Sequence, residues 1–510
     1  MNGALGIARN LWLAEGLPIE FLKHLKFHGN PDTAINSSFK IGALAQASIG
    51  VTGLASAYLH YLRTGIRQDV SVDARHASLE FHSHSYYTLD GKSSPEVWDP
   101  IAGVYPTKDQ SFVRIHTNFP HHRKGVLDIL SLPDTPSVTK AQVSSALAQW
   151  NAEEFESVAI SRGMCVSAYR TFEEWDKHPH AQTLVGKPPV SVVRIGDAPK
   201  RVFSGNNTNP LSGVRVLDLS RVLAGPVAGR ALAAHGTDTL LITSPKLPAL
   251  PGLDVDTSRG KRTTQLDLTQ SNDRDTLKHL VSEADVFLQA YRPGGLAAKG
   301  FSAEELNKMK PGIISANLCA WGWEGVWKDR RGFDSLVQTG TGFNHAEAQA
   351  YHEYSHPSES IPHPLPPRPF PYQVLDYAGG YLLAFGIITA LCKSITEGGS
   401  WEVRVSLAGV AQYLRSLGRI APEIAFGEGK ALPPKLTPEM HPEVRAFATK
   451  RRVNTPQVVT VEVEEDGDTR NGSCKRREMV ALRHPAVLSV TPCVEGEAPF
   501  NLDAHKPEWL

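Results

Sequence analysis

Residues 214–407 alternate short β-branched apolar runs with amphipathic stretches of helical period, and few architectures accept that order. Strands are expected at 214–219, 238–243, 264–268, 285–289 and 312–318, with helices at 225–235, 271–283 and 303–309. Short connections between them lead to an α/β fold, a doubly wound parallel sheet of Rossmann-like form. Residues 346–371 hold His-Pro, Ile-Pro-His-Pro and Pro-Pro-Arg-Pro, which stop helices and central strands, so an inserted loop is expected there. Beyond it, residues 377–394 are small and apolar on every face, the composition of a buried helix, and residues 401–407 alternate as a strand does.

That last unit recurs near the N-terminus. Ala45, Gly53, Ala57, Gly65, Val70 and Val72 fall on Ala378, Gly386, Ala390, Gly398, Val403 and Val405 at one offset of 333 positions, without a gap. The plain alternative is two unrelated Ala-rich helices, each ended by a glycine C-cap. Each helix is followed by a matching strand, so a partial internal duplication is expected, giving smaller α+β domains beside the main sheet. The same offset carries Asp376 onto Ala43, so the first copy lacks the acid.

At 510 residues the chain exceeds one ordinary core, and two or three domains are expected. Its 53 basic and 53 acidic side chains exclude a global field for nucleic acid or an anionic membrane. The five cysteines, Cys165, Cys319, Cys392, Cys474 and Cys493, form no CxxC pair, which argues against a disulfide framework or a cysteine zinc site. The apolar stretch at 4–13 is broken by Arg9 and Asn10, no run approaches a membrane span, and the last residues are no SKL-type address. A soluble, cytoplasmic protein is expected.

Six segments occur in a fixed order: VRVLDLSRVLAGP (214–226), RGKRTTQLDL (259–268), ADVFLQAYRPGGL (284–296), PGIISANLCAWGWEG (311–325), RRGFDSLVQ (330–338) and QVLDYAGG (373–380). Together they resemble the family III CoA-transferases, the CaiB/BaiF group. The resemblance implies three parts. Residues 1–200 are similar to the later part of a family chain and form a degenerate copy, residues 213–420 keep the nucleotide-binding sheet and the acid, and residues 426–510 form a poorly matched tail completing the second copy. Family members form interlocked dimers, so the chain is expected to be pseudo-dimeric by itself or a homodimer.

The resemblance also implies a chemistry. Asp376 is the matching nucleophile, a carboxylate that attacks an acyl-CoA, forms a mixed anhydride, takes up CoA as an aspartyl thioester and passes it to an acceptor acid. Acyl-CoA and carboxylic acids are then the substrates, with coenzyme A a substrate moiety and no tightly bound cofactor. The absence of a GxxxxGK[ST] loop agrees, since thioester exchange needs no ATP. By matching, Leu223 and Ala224 line the pantetheine or phosphate path; Leu266, Asp267, Leu268 and Thr269 lie near adenine; Ala290, Tyr291 and Arg292 flank the nucleotide. Arg331, Gly332 and Phe333 complete the CoA-binding set. Lys261, Arg262, Arg292, Arg330 and Arg331 are candidate phosphate partners, although any one alone also reads as a solvated surface charge. Ala298 stands where many relatives have an arginine on CoA, and Lys299 is its candidate substitute.

Other readings compete. Asp376 also reads as an ordinary helix N-cap. His352-Glu353-Tyr354-Ser355-His356 matches the HExxH zinc pattern, but Pro357 follows at once and a helix aligning both histidines is not expected to extend. His116, His121 and His122 read as polar surface residues of a turn. A 2-methylacyl-CoA racemase uses a histidine in Gly-His-Asp opposite the aspartate; here the sequence is Gly332-Phe333-Asp334, and phenylalanine carries no proton. A degenerate acyl-CoA-binding paralogue is the non-catalytic alternative.

Overall fold

The computed structural model describes residues 3–202, 208–435, 439–453 and 477–510, so Cys474 lies outside the described residues. The central sheet has seven strands: β1 (Ser191–Gly196), β2 (Arg215–Leu219), β3 (Asp238–Thr243), β4 (Arg262–Gln265), β5 (Val286–Gln289), β6 (Ile314–Cys319) and β7 (Ser400–Ser406). Their spatial order is β4-β3-β2-β5-β6-β7-β1, all parallel except β1, which runs antiparallel along β7. The order reverses between β2 and β5, the place where open α/β sheets leave a crevice at their carboxyl edge. Flanking helices occupy Ser271–Glu283 and Ala303–Met309. The expected doubly wound sheet is present.

Two local expectations are corrected. The strand expected at 264–268 is Arg262–Gln265. Residues 266–269 turn away because the Asp267 carboxylate accepts from the Thr269 amide at 3.0 Å and its hydroxyl at 2.8 Å, closing a side-chain turn. The expected loop at 346–371 begins later, since an α-helix spans Phe343–Ser355. Its helical period survives to Ser355 because Phe343, Ala346 and Ala350 are buried while the prolines start only at Pro357. His352 and His356 therefore do stack, 5.1 Å between ring centroids.

Four helices position the site: α1 (Ile41–Thr64), α2 (Ala224–Ala234), α3 (Asp334–Gly340) and α4 (Val374–Thr396). By length and composition α4 could cross a membrane, contrary to the expectation that no run approaches a span, yet its most apolar window is wholly buried in protein. It lies against α1, α2 and β7. Gly380 lets it touch α2, because a Cβ there would sit 2.5 Å from the Ala224 carbonyl oxygen. Thr52 of α1 donates to the Tyr381 carbonyl at 2.9 Å. One continuous apolar cluster runs from Trp12 through Leu44, Tyr377 and Leu382 to Leu488.

A second, smaller core is built within residues 101–166, from strands Gly103–Pro106 and Phe112–Ile115 and helices that include Pro120–Ile129 and Ala152–Ser161. The described tail pairs with the N-terminal part: Ala486–Leu488 lies antiparallel on Val70–Asp73, and Glu478–Leu482 on Tyr87–Leu89. Beneath these contacts Arg230 of α2 is ion-paired with both Glu80 and Asp256, and Glu80 accepts from Tyr381 of α4 at 3.0 Å. Removing residues 1–200 uncovers the α1-facing side of α4 and leaves Arg230 without Glu80. The 201–510 fragment should aggregate where the full chain stays dispersed, as read by light scattering; a monodisperse fragment would contradict the shared core.

Candidate active site

A cavity of about 540 Å³ opens at the carboxyl edge of the sheet, at the reversal of strand order. Leu219 of β2, Thr243 of β3, Leu318 and Cys319 of β6, and the segments following β4 and β5 form its floor. The loop from β2 into α2 rises beside it. In that loop Val222 adopts φ +72°, a left-handed conformation that a β-branched residue holds only at a cost of about 1–3 kcal/mol. Gly225 is required where the loop meets β5, since a Cβ would stand 2.5 Å from that of Ser220 and 2.7 Å from that of Ala290.

Every residue of the expected site lines this one cavity: Asp376, Leu223, Ala224, Leu266, Asp267, Leu268, Thr269, Ala290, Tyr291, Arg292, Arg331, Gly332 and Phe333. The phosphate candidates divide. Arg292 and Arg331 face the cavity, and so does Lys299. Lys261, Arg262 and Arg330 do not, because each is held in an ion pair of the fold. Lys261 is wholly buried, 2.6 Å from Asp218; Arg262 grips Asp238 with two bonds of 2.9 Å; Arg330 binds Glu156 at 2.9 Å and lies over Trp327.

Asp376 sits in the first turn of α4, 8 % exposed, with the cavity before it. It does not cap its own helix. The Asp334 carboxylate does so from α3, accepting from the Leu375 amide at 2.6 Å, the Asp376 amide at 3.0 Å and the Gln338 side chain. Gln338 in turn accepts from the Phe370 amide at 3.1 Å and from Asn344 at 3.1 Å, tying the end of the proline-rich loop to α3. Burial pushes the Asp334 carboxyl up to about 6. Burial, and then the Asp334 charge, push Asp376 well above the ordinary carboxylate range. Among the described residues nothing donates to the Asp376 carboxylate, whereas Asp334 has three donors, so of the two Asp376 is the one that keeps a proton.

The N-terminal part supplies a wall of Phe119, His121 and His122. These histidines were expected to be polar surface residues of a turn, and two of the three are not. His122 is 4 % exposed and takes a hydrogen bond from Arg331 at 2.7 Å, and His116, 6 % exposed, stacks on Phe333 with centroids 3.8 Å apart. Burial drives both imidazoles down to about 3, so they stay neutral. Arg221 and Lys246 also line the cavity and were missed; Arg221, two residues past the end of β2, was open to inference from that position alone. Among the described residues one group has metal-ligand proximity, His235, His484 and Cys493, which lies away from this cavity; there His484 Nδ1 accepts the Ala486 amide at 3.2 Å.

Residues 211–454 match the sequence model of CoA-transferase family III. An acyl-CoA transferase of Gibberella moniliformis (strain M3125 / FGSC 7600) is 26 % identical over 427 residues, covering 76 % of this chain and 72 % of that protein. The acetyl-coenzyme A transferase nodX of Hypoxylon pulicicidum is 25 % identical over 470 residues, covering 78 % and 73 %. The probable fatty acyl-CoA transferase Rv3272 of Mycobacterium tuberculosis is 30 % identical over 227 residues, 42 % of this chain and 54 % of that one. A crystal structure of Rv3272 aligns with a TM-score of 0.35 at 29 % identity, over 41 % of this chain and 58 % of that chain.

The carboxyl pair has a stability signature. A group whose folded pKa is raised adds stability below its unfolded value, about 3.9 for aspartate, and loses it as pH rises through the folded value. Asp376→Asn, which never ionises, should therefore match the native chain near pH 4 and melt at progressively higher temperature than it as pH rises to 7. A variant that melts lower at pH 7 would contradict the strained carboxylate.

Proposed function

We propose that the chain, whose residues 211–454 match CoA-transferase family III, moves CoA from an acyl-CoA thioester to a free carboxylic acid with Asp376 as the nucleophile. The observation that carries this reading is a buried carboxylate to which none of the described residues donates, at a helix N-terminus, on the wall of a cavity at the sheet's reversal point. Ionised Asp376 attacks the thioester carbonyl, the C–S bond breaks, and CoA leaves as thiolate. The thiolate then attacks the aspartyl carbonyl of the anhydride, releasing the donor acid as carboxylate and leaving an aspartyl-CoA thioester. The acceptor carboxylate repeats the two steps in reverse, which regenerates Asp376. Burial favours the exchange by excluding water, which would hydrolyse the anhydride. A raised pKa makes the carboxylate the stronger nucleophile once its proton has left.

CoA is taken to lie along Leu223 and Ala224, with adenine near residues 266–269 and phosphates toward Arg292 and Lys299, in keeping with anion binding at the carboxyl edge of such sheets. The racemase reading has no support at Phe333, whose ring carries no proton, and the imidazole stacked on it, His116, does not line the cavity. We also read residues 1–200 as a fused partial copy that stands where a partner subunit would. The 333-residue offset brings Ile41 of α1 onto Val374 of α4, and it brings the helix caps Asp73 and Ser406 together, each accepting from the amide three residues on. Ala43, the counterpart of Asp376, is wholly buried.

Incubation with acyl-CoA followed by mass spectrometry should find CoA on the peptide bearing Asp376, and Asp376→Ala should abolish transfer while CoA still binds; a fully active alanine variant removes the proposal. On the acid side kcat/KM should rise with pH through a value above the ordinary carboxylate range. Asp334→Asn, which keeps a cap but removes the neighbouring charge, should move that rise to lower pH, and an unmoved profile would uncouple the pair. In heavy water a 2-methylacyl-CoA should gain little α-deuterium while CoA passes to an added acid. Calorimetry should count one CoA per chain.

A further inference from the structure

Arg221, Arg331, His121 and His122 line one cavity, and among the described residues neither of its carboxylates, Asp267 and Asp376, is ion-paired with either guanidinium. Arg331 donates from Nη1 to His122 Nε2 at 2.7 Å. Arg221 lies over the Phe119 ring at 4.9 Å and donates to the Pro248 carbonyl. Burial, and then both guanidiniums, lower the His121 pKa. Among the described residues neither guanidinium reaches a carboxylate, although each carries five N–H donors. Two other inner cations are paired: Lys261 with Asp218, Arg330 with Glu156.

A guanidinium fork in a partly closed cavity, left without its anion, is built for a carboxylate or a phosphate. The phosphates of CoA already have exposed cations at the mouth, Arg292 and Lys299, beside Tyr291 and residues 266–269. Arg331, by contrast, stands three residues before Asp334, whose carboxylate fixes the Asp376 amide. Among the described residues no ion pair joins either guanidinium to Asp376, although all three line the one cavity. An anion held by them would share the cavity with the reacting carboxylate.

We propose that Arg221 and Arg331, with His121 and His122 completing the wall, form a subsite for the unreactive second carboxylate of the acid substrate, so that dicarboxylic acids are favoured over monocarboxylic ones. The inference rests on the transferase reading for its chemistry, but the subsite can be tested by binding alone.

Glutarate and pentanoate, both of five carbons, differ in the second carboxylate. Titrated into the full chain, glutarate should bind at least tenfold more tightly. Arg221→Met should erase most of that preference while the affinity for CoA stays within twofold; Arg331→Met should erase it as well, and Arg331→Lys, which keeps the charge but loses the fork, should fall between. Transfer assays with the two acids should show the same ratio in KM. Equal binding of both acids overturns the subsite. So does an Arg331→Met variant that loses CoA affinity tenfold yet keeps the native ratio between the acids, because the cations would then serve the phosphates. Retained glutarate preference without any CoA transfer would sink the transferase reading and leave the subsite standing.

Discussion

A helix buried on every side must find partners inside the protein for the amides of its first turn, and α4 imposes that condition on everything around it. Its length lies against α1, α2 and β7, and its most apolar window is wholly buried in protein. An unpaired buried amide costs about 1–3 kcal/mol, and Asp334 removes two such costs at once. The cap has to be an anion or a strong acceptor, and its placement puts a second carboxyl beside Asp376. The same interaction that makes the helix end stable makes the neighbouring carboxylate reluctant to ionise. Structure and reactivity at this point are one electrostatic arrangement, held by Gln338, Asn344 and the Phe370 amide behind it.

The central sheet was legible in the sequence because its signals are local. Two flanking helices fall at 271–283 and 303–309 as periodicity gives them, and the strands lie within two or three residues of their expected bounds. The expected site also converges on one cavity, since strand ends of a parallel sheet necessarily do. What could not be read was pairing over long separations. Nothing near Lys261 announces Asp218, and nothing near Arg330 announces Glu156, so positive charges adjacent to glycine turns looked available when the fold had already used them. The histidine wall was illegible for the same reason. His122 and Arg331 are 209 residues apart in sequence, and only the folded chain makes them neighbours.

The loop from β2 into α2 shows a different compromise. Val222 occupies a conformation suited to glycine while Gly225, three residues on, is fixed as glycine by the approach of Ser220 and Ala290. A turn so constrained at both ends holds the start of α2 against α4 and on the cavity wall. Substitution tolerance there should be low for steric reasons alone, independent of any ligand.

Because Phe119, His121 and His122 reach the cavity on the same polypeptide as Asp376, folding by itself completes the wall. Where two chains must meet to build a site, its occupancy by the second half falls on dilution, and every substitution at the interface appears in both halves together. Here the second half is present at an effective concentration fixed by the chain, and each position changes singly. One half of such a protein is free to drift in sequence, as long as it keeps the few side chains that face across.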